Sequence, residues 1–134
     1  MHVLFLCTGN SCRSILAEAL FNHLAPEGMK AMSAGSNPTG KVHPRSLALL
    51  ERKNIASEGY YSKSWDEISV KPDLVITVCN NAAGESCPAF ISNIKRMHWD
   101  IEDPAKATGT DEEIDAAFEA VFESLQKRIT ALLS

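Results

Sequence analysis

The run Leu74-Val75-Ile76-Thr77-Val78 constrains this chain more than any other stretch. It is apolar or β-branched throughout, with no polar alternation. That suits a strand buried on both faces, at the centre of a parallel sheet. Parallel neighbours need crossover connections, usually helices, and the rest of the chain supplies them. His2 to Leu6 is a second apolar run, and beyond it Ile15, Leu16, Ala19, Leu20 and Leu24 recur at helical spacing between Ser14 and Leu24. Met29 to Ala34 reads as another strand, ended by the turn residues of SAGSNPTG. His43-Pro44-Arg45 opens a helix, with proline near its first position and an apolar face expected through Leu47, Ala48 and Leu50.

Arg96 to Trp99 reads as an edge strand. Thr110 to Glu113 (TDEE) is a capping-box pattern. Behind it Ile114, Phe118, Val121, Leu125, Ile129 and Leu132 form one stripe down a long helix. Strands alternating with helices predict an α/β fold, a parallel sheet covered on both faces and formed by residues 1–134 as a single domain. Ligands of such sheets sit beyond the carboxyl ends of the strands. Cys7 and Cys79 both fall at such ends.

Composition narrows the functional classes. The formal net charge is −4 at pH 7, without a long run of one sign. That disfavours nucleic acid as the main partner. The start, MHVLFLC, lacks the basic region, apolar core and cleavage site of a signal peptide. No apolar run approaches the roughly 20 residues of a membrane span. A cytoplasmic protein, a monomer without membrane association, is therefore expected.

The four cysteines, Cys7, Cys12, Cys79 and Cys87, are not needed as staples in such a chain. Their spacing also lacks the tight pairs of structural zinc sites, so neither a metal nor any other cofactor is expected. Thiol chemistry fits them better. Cys7 to Arg13 is C-x5-R, followed by Ser14, between a strand and a helix. Amides between Thr8 and Arg13, through Gly9, Asn10, Ser11 and Cys12, can turn inward as an anion nest, with the positive end of the helix behind them. Gly9 permits the necessary backbone angles. Arg13 presents a planar fork for two oxygens of a tetrahedral anion. The same field favours the Cys7 thiolate, a nucleophile to which Ser14 can donate. The loop Thr8–Ser14 is thus the candidate oxyanion site. The role of Cys12, whether against substrate or packed beneath the loop, stays open. His2 and His43 read as structural, and His98-Trp99 as the end of the edge strand.

VLFLCTGNSCRS with the following Ala17-Glu18, ITVCNNAAGESCP and HWDIEDP together resemble the low-molecular-weight protein tyrosine phosphatase superfamily, and within it the arsenate reductases. The likeness runs along nearly the whole chain, with the motifs in the family's order. It implies a four-stranded parallel sheet flanked by helices, and reduction of arsenate to arsenite in arsenic detoxification. It makes Cys7 the nucleophile, Arg13 the oxyanion ligand and Asp103, ahead of Pro104, the general acid. It makes Cys79 and Cys87 a disulfide relay, with NNAAGES between them expected to move. The reductant it implies is thioredoxin, or glutathione with glutaredoxin. Tyrosine phosphatases of the superfamily commonly carry an aromatic residue after this Asp-Pro pair. Ala105 stands there, which favours reduction over phosphotyrosine hydrolysis.

Overall fold

The computed structural model describes residues 1–57, 59–78 and 94–133. Four parallel strands form its sheet: β1 (His2–Leu6), β2 (Lys30–Ala34), β3 (Leu74–Thr77) and β4 (Lys95–His98), in the order β2-β1-β3-β4. Register runs Leu6↔Ala34 between β1 and β2, Leu6↔Thr77 between β1 and β3, and Thr77↔His98 between β3 and β4. The chain steps from β1 outward to β2 and then crosses to β3 on the other side. A crevice at the carboxyl ends of β1 and β3 is where that reversal places a ligand.

The two central strands explain the sequence pattern. Val3 to Leu6 on β1 and Leu74 to Thr77 on β3 are buried on both sides. The predicted strand ends one residue early, because Val78 has left the ladder with β4; it stays buried, and its amide bonds the Leu6 carbonyl. β4 is the exposed edge, where Lys95, Arg96 and His98 discourage further pairing. Trp99, expected to end that strand, lies just past it. Its ring is buried against Phe5 at 5.8 Å and its amide bonds the Thr77 carbonyl.

Helix α1 (Arg13–Leu24) packs on β1 and β2, and Ser14 through Phe21 are all buried. A helix covered on every side needs apolar residues all round, and ILAEALF supplies them with one exception, Glu18. Helix α2 (Pro44–Arg52) starts where proline predicts it, with His43 Nδ1 accepting from the Arg45 amide at 3.1 Å. Its buried face differs from the expectation. Ser46, Leu49 and Leu50 face inward, while Leu47 and Ala48 are exposed. The run LALL fixes no face by itself; the helix is rotated by contacts with α3 (Asp111–Leu133). His43 packs on Phe118 at 5.0 Å, Arg45 meets Asp111 and Asp115 at 2.8 and 2.6 Å, and Arg52 and Lys53 reach Glu119 at 3.3 and 3.0 Å.

The capping box forms: the Glu113 amide donates to Thr110 Oγ1 at 3.2 Å. The stripe on α3 buries Phe118, Val121, Leu125 and Ile129, and Phe122 joins it. Each such aliphatic or aromatic side chain contributes roughly 1.5–3 kcal/mol on burial. Exposed ion pairs contribute about 0–1 kcal/mol each, so packing holds α3 and charge sets its register. No helix among the described residues is long and apolar enough to cross a membrane.

Candidate functional site

Cys7 follows β1 at the carboxyl edge of the sheet, buried, with its amide bonded to the Ala34 carbonyl at 3.2 Å. The register that pairs Leu6 with Ala34 sets Gly35 beside it. A Cβ on Gly35 would lie 2.4 Å from the Thr8 carbonyl oxygen and 2.7 Å from that of Cys7. Only glycine lets β2 end this close beneath the loop. The sequence gives SAGSNPTG as a turn, and nothing in that stretch singles out Gly35. The parallel pairing does.

The loop's carbonyls are held from outside. Thr8 O accepts from the Asn37 amide at 3.0 Å, Gly9 O from the Thr39 amide at 3.0 Å, and Ser11 O from the His43 amide at 2.9 Å. Ser62 Oγ also donates to Gly9 O, at 3.1 Å. Within a trans peptide unit the next N–H points opposite to the carbonyl. Carbonyls tied outward at Thr8, Gly9 and Ser11 therefore turn the amides of Gly9, Asn10 and Cys12 toward the loop's interior. Asn10 adopts φ 47°, a left-handed conformation that asparagine tolerates better than most residues. The glycine at position 9 is not the residue that takes it.

Asn10 is completely buried and wholly committed to hydrogen bonds. Its Nδ2 donates to Ser14 Oγ at 2.7 Å and to Ser33 Oγ at 3.0 Å, and its Oδ1 accepts from the Lys63 amide at 2.9 Å. Ser33 Oγ in turn donates to Glu18 Oε1 at 2.6 Å. Burial raises the Glu18 carboxyl above its ordinary value, while the Ser33 hydroxyl and the charges of Lys63 and Lys30 pull it back in part. Ser33 was not expected from sequence, and Glu18 entered only as part of the N-terminal motif, with no role assigned. The available signal was polarity on otherwise apolar, core-facing positions of β2 and α1.

Cys12 stands at the N-cap of α1, and no side-chain cap bond is made there among the described residues. The helix therefore begins with amides that no cap occupies, the electropositive end an anion uses. Cys12 itself is buried under the loop, with Sγ 3.6 Å from Ser11 Oγ. Burial raises its thiol above the ordinary value; the Ser11 and Ser46 hydroxyls act in the other direction. Its burial matches that of Cys7, at 4% exposure each.

Arg13 and Asp103 meet at the mouth of the loop, Nη2 to Oδ2 at 3.5 Å. Arg13 Nη1 donates to the Ile101 carbonyl at 3.0 Å, which aims the guanidinium. Its Nε is buried with no hydrogen-bond partner among the described residues. A buried, unpaired guanidinium N–H is costly unless something fills it, and an oxyanion has the right charge and shape. Asp103 also caps the short 3-10 turn Pro104–Lys106, accepting from the Ala105 amide at 3.0 Å through Oδ1. The plain turn role and the pairing with Arg13 thus coexist, one on each carboxylate oxygen. Ala105 is exposed. A cavity of about 980 Å³ lies behind this wall, between Asp103 and α3; Cys7 does not line it, so the nest rather than that cavity marks the chemistry.

The structure thus brings Cys7, Thr8, Gly9, Asn10, Ser11, Cys12, Arg13, Ser14 and Asp103 to one corner. Cys79, Cys87 and the segment between them lie outside the described residues. The arrangement supplies a thiol at the start of an anion nest, a guanidinium with one donor unpaired among the described residues, and a carboxyl at the rim.

Comparison with known proteins gives the same frame. The family model for low molecular weight phosphotyrosine protein phosphatase matches residues 2–134. The arsenate reductase of Halalkalibacterium halodurans is 42% identical over 128 residues, covering 95% of this chain and 91% of that protein. The crystal structure of the arsenate reductase from Archaeoglobus fulgidus aligns with TM-score 0.80 at 31% identity over 98% of both chains. A thioredoxin-dependent arsenate reductase of Corynebacterium glutamicum aligns with TM-score 0.65 at 26% identity, over 97% of this chain and 62% of that one. The chain belongs to the low molecular weight phosphotyrosine protein phosphatase family.

Proposed function

We propose that this chain is a cytoplasmic arsenate reductase acting through a Cys7 thiol adduct. The observation that carries the reading is the buried Arg13 Nε, a donor without a partner among the described residues, at the rim of the nest that holds Cys7. Similarity to proteins named arsenate reductase selects arsenate among tetrahedral oxyanions. Arsenate lies on the inward amides of the Thr8–Ser14 loop and on the Arg13 fork. The Cys7 thiolate attacks arsenic, forming a sulfur–arsenic bond. A hydroxyl leaves as water, its proton supplied by Asp103.

Cys79 thiolate then attacks Cys7 sulfur. A disulfide forms, the sulfur–arsenic bond breaks, and its electron pair stays on arsenic, which departs as arsenite. Cys87 attacks Cys79 sulfur, leaving a Cys79–Cys87 disulfide and restoring the Cys7 thiolate. Thiol–disulfide exchange of this kind ends with an external dithiol returning two electrons. Thioredoxin is the preferred reductant, with glutathione and glutaredoxin as the competing route. The protein works as a monomer with no cofactor, and residues 1–134 form one domain.

Quench-flow counting of arsenite, with disulfide mapping, tests this. Cys79→Ser should bind arsenate and release no arsenite with thioredoxin. Cys87→Ser should release about one arsenite per enzyme and stall as a Cys7–Cys79 disulfide. Cys7→Ser should lose all activity. Sustained turnover by Cys87→Ser with thioredoxin would overturn the three-cysteine relay. Wild-type protein that hydrolyses aryl phosphates but makes no arsenite would be a phosphatase instead.

A further inference from the structure

We infer that His43 is a positioning residue for the oxyanion loop that holds it only while the imidazole is neutral, so that anion binding weakens as His43 takes up a proton. This rests on the reading of the Thr8–Ser14 loop as an oxyanion site. Two bonds meet at this one residue. Its backbone amide donates to the Ser11 carbonyl at 2.9 Å, which turns the Cys12 amide into the loop. Its ring is the N-cap of α2, with Nδ1 accepting from the Arg45 amide at 3.1 Å.

The first turn of α2 depends on that ring. Pro44 has no N–H to satisfy. The Ser46 and Leu47 amides both reach the His43 carbonyl, at 3.0 and 3.3 Å. Arg45 carries the remaining amide of the turn, and the His43 ring takes it. An imidazole nitrogen accepts a hydrogen bond only when it carries no proton. The imidazolium has a proton on both nitrogens, so turning the ring over brings a C–H to the Arg45 amide and caps nothing. It also sets a positive charge on the positive end of a helix. Loss of the cap frees the backbone of His43, and that backbone carries the bond to Ser11.

The charged or titratable groups on the elements packed here are Arg45 on α2, Asp111 and Asp115 on α3, Lys41 in the segment before α2, and Cys12 in the loop. Arg45 takes up both aspartates, at 2.8 and 2.6 Å. Phe118, with its ring centroid 5.0 Å from that of His43, attracts a cation but gives the Arg45 amide nothing in exchange for the lost cap. Charge alone acts in the opposite sense, since an imidazolium near the loop draws an anion toward it. The sign of the effect therefore separates the cap from simple electrostatics.

Histidine changes charge between about pH 5 and 8. Sulfate keeps its charge across that range, and its binding is read from the amide NMR shifts of the loop at constant ionic strength. His43→Asn caps α2 at every pH. It serves as the reference that cancels the titrations of Cys7, Asp103 and every other shared group. The sulfate dissociation constant of the wild type, relative to His43→Asn, should rise about fivefold as the ring becomes charged, the size of one helix cap. The rise should follow the titration of His43 itself, read in long-range nitrogen–proton spectra. Those spectra should show Nδ1 without a proton at the alkaline end. His43→Ala, which never caps, should keep a constant ratio to His43→Asn.

A ratio that stays constant while the His43 ring titrates overturns the inference. So does a ratio that falls, because charge would then outweigh the cap. A proton on Nδ1 at the alkaline end, or a ring that stays neutral throughout, overturns it as well. Should His43→Asn not fold, His43→Ser supplies an equivalent cap and takes its place. Sulfate that moves no loop amide at any pH would sink the oxyanion reading and the inference with it. A protein that binds sulfate yet makes no arsenite would sink the reductase reading alone.

Discussion

Arg13 Nη2 lies 3.5 Å from Asp103 Oδ2, while Nε of the same guanidinium is buried and has no partner among the described residues. The ion pair orients the fork without filling it. Lysine retains the charge and loses the fork, along with the bond to the Ile101 carbonyl. Arg13→Lys should therefore weaken oxyanion binding by about 10- to 100-fold, the worth of one to two charge-assisted hydrogen bonds. Protection of Cys7 from alkylation by phosphate or arsenate measures this directly. Undiminished protection would show that the loop amides alone hold the anion.

Asp103 serves the 3-10 turn with one oxygen and faces Arg13 with the other. Asparagine caps as well as aspartate, so Asp103→Asn should leave the turn and the thermal stability nearly unchanged. It cannot deliver a proton. Formation of the Cys7 adduct should slow by about 10²- to 10⁴-fold. Single-turnover rates measured beside anion affinity separate the two effects. An unchanged rate would leave Asp103 as a cap and a partner for Arg13.

Much of this site is legible in the sequence, for local reasons. C-x5-R-S between a strand and a helix needs only short-range geometry, and the loop lies between β1 and α1 as expected, with Asn10 rather than Gly9 in the left-handed conformation. The unread part depends on which strand lies beside which. Gly35 matters because β2 ends against Cys7 and Thr8. Ser33 and Glu18 matter because β2 and α1 bring them beneath Asn10. The face of α2 departs from periodicity for the same reason: in the run LALL, ion pairs with α3 and the packing of His43 on Phe118 choose the rotation. Periodicity reports which residues are apolar, and tertiary contacts decide which of them turn inward.

Gly35→Ala tests that close approach. The added Cβ would sit within 2.7 Å of two backbone carbonyl oxygens, and backbone cannot swing aside as a flexible side chain can. Overpacking of this kind costs typically about 1–3 kcal/mol, and the strain falls on the loop carrying the nucleophile. Urea unfolding should show the loss of stability. Oxyanion protection of Cys7 should fall by more than any equally destabilising change on α3, such as Leu125→Ala. Equal losses of protection would mean that Gly35 supports the fold in general and the loop no more than the rest.

Cys7 and Cys12 occupy one loop in contrasting settings. Cys12 lies beneath the loop, where burial raises its thiol above the ordinary value despite the hydroxyls of Ser11 and Ser46. Cys7 ends β1 at the start of the loop whose amides turn inward, ahead of the uncapped start of α1, and such surroundings favour a thiolate. Iodoacetamide at pH 6 should therefore modify Cys7 well ahead of Cys12, and phosphate should slow the first reaction selectively. Equal rates at the two sites would remove the basis for Cys7 as the activated thiol.

Glu18 leaves a mark on stability. Its carboxyl is raised above the ordinary 4.5 by burial, against the opposing Ser33 hydrogen bond and the charges of Lys63 and Lys30. Burial thus favours the protonated form, and between 4.5 and the raised value the folded protein holds a proton that the unfolded chain has released. The stability this group supplies is complete below 4.5 and is lost as pH rises through the raised value. Glu18→Gln keeps a neutral side chain of the same shape at every pH, so it should lack this loss. Its stability relative to wild type should therefore improve from acid toward neutral pH and then level off. Urea midpoints of the two proteins, compared at each pH from 4 to 8, read the difference with all other carboxylates in common. A difference that stays constant across that range would mean that Glu18 titrates alike in the folded and unfolded chains, and that its burial carries no proton.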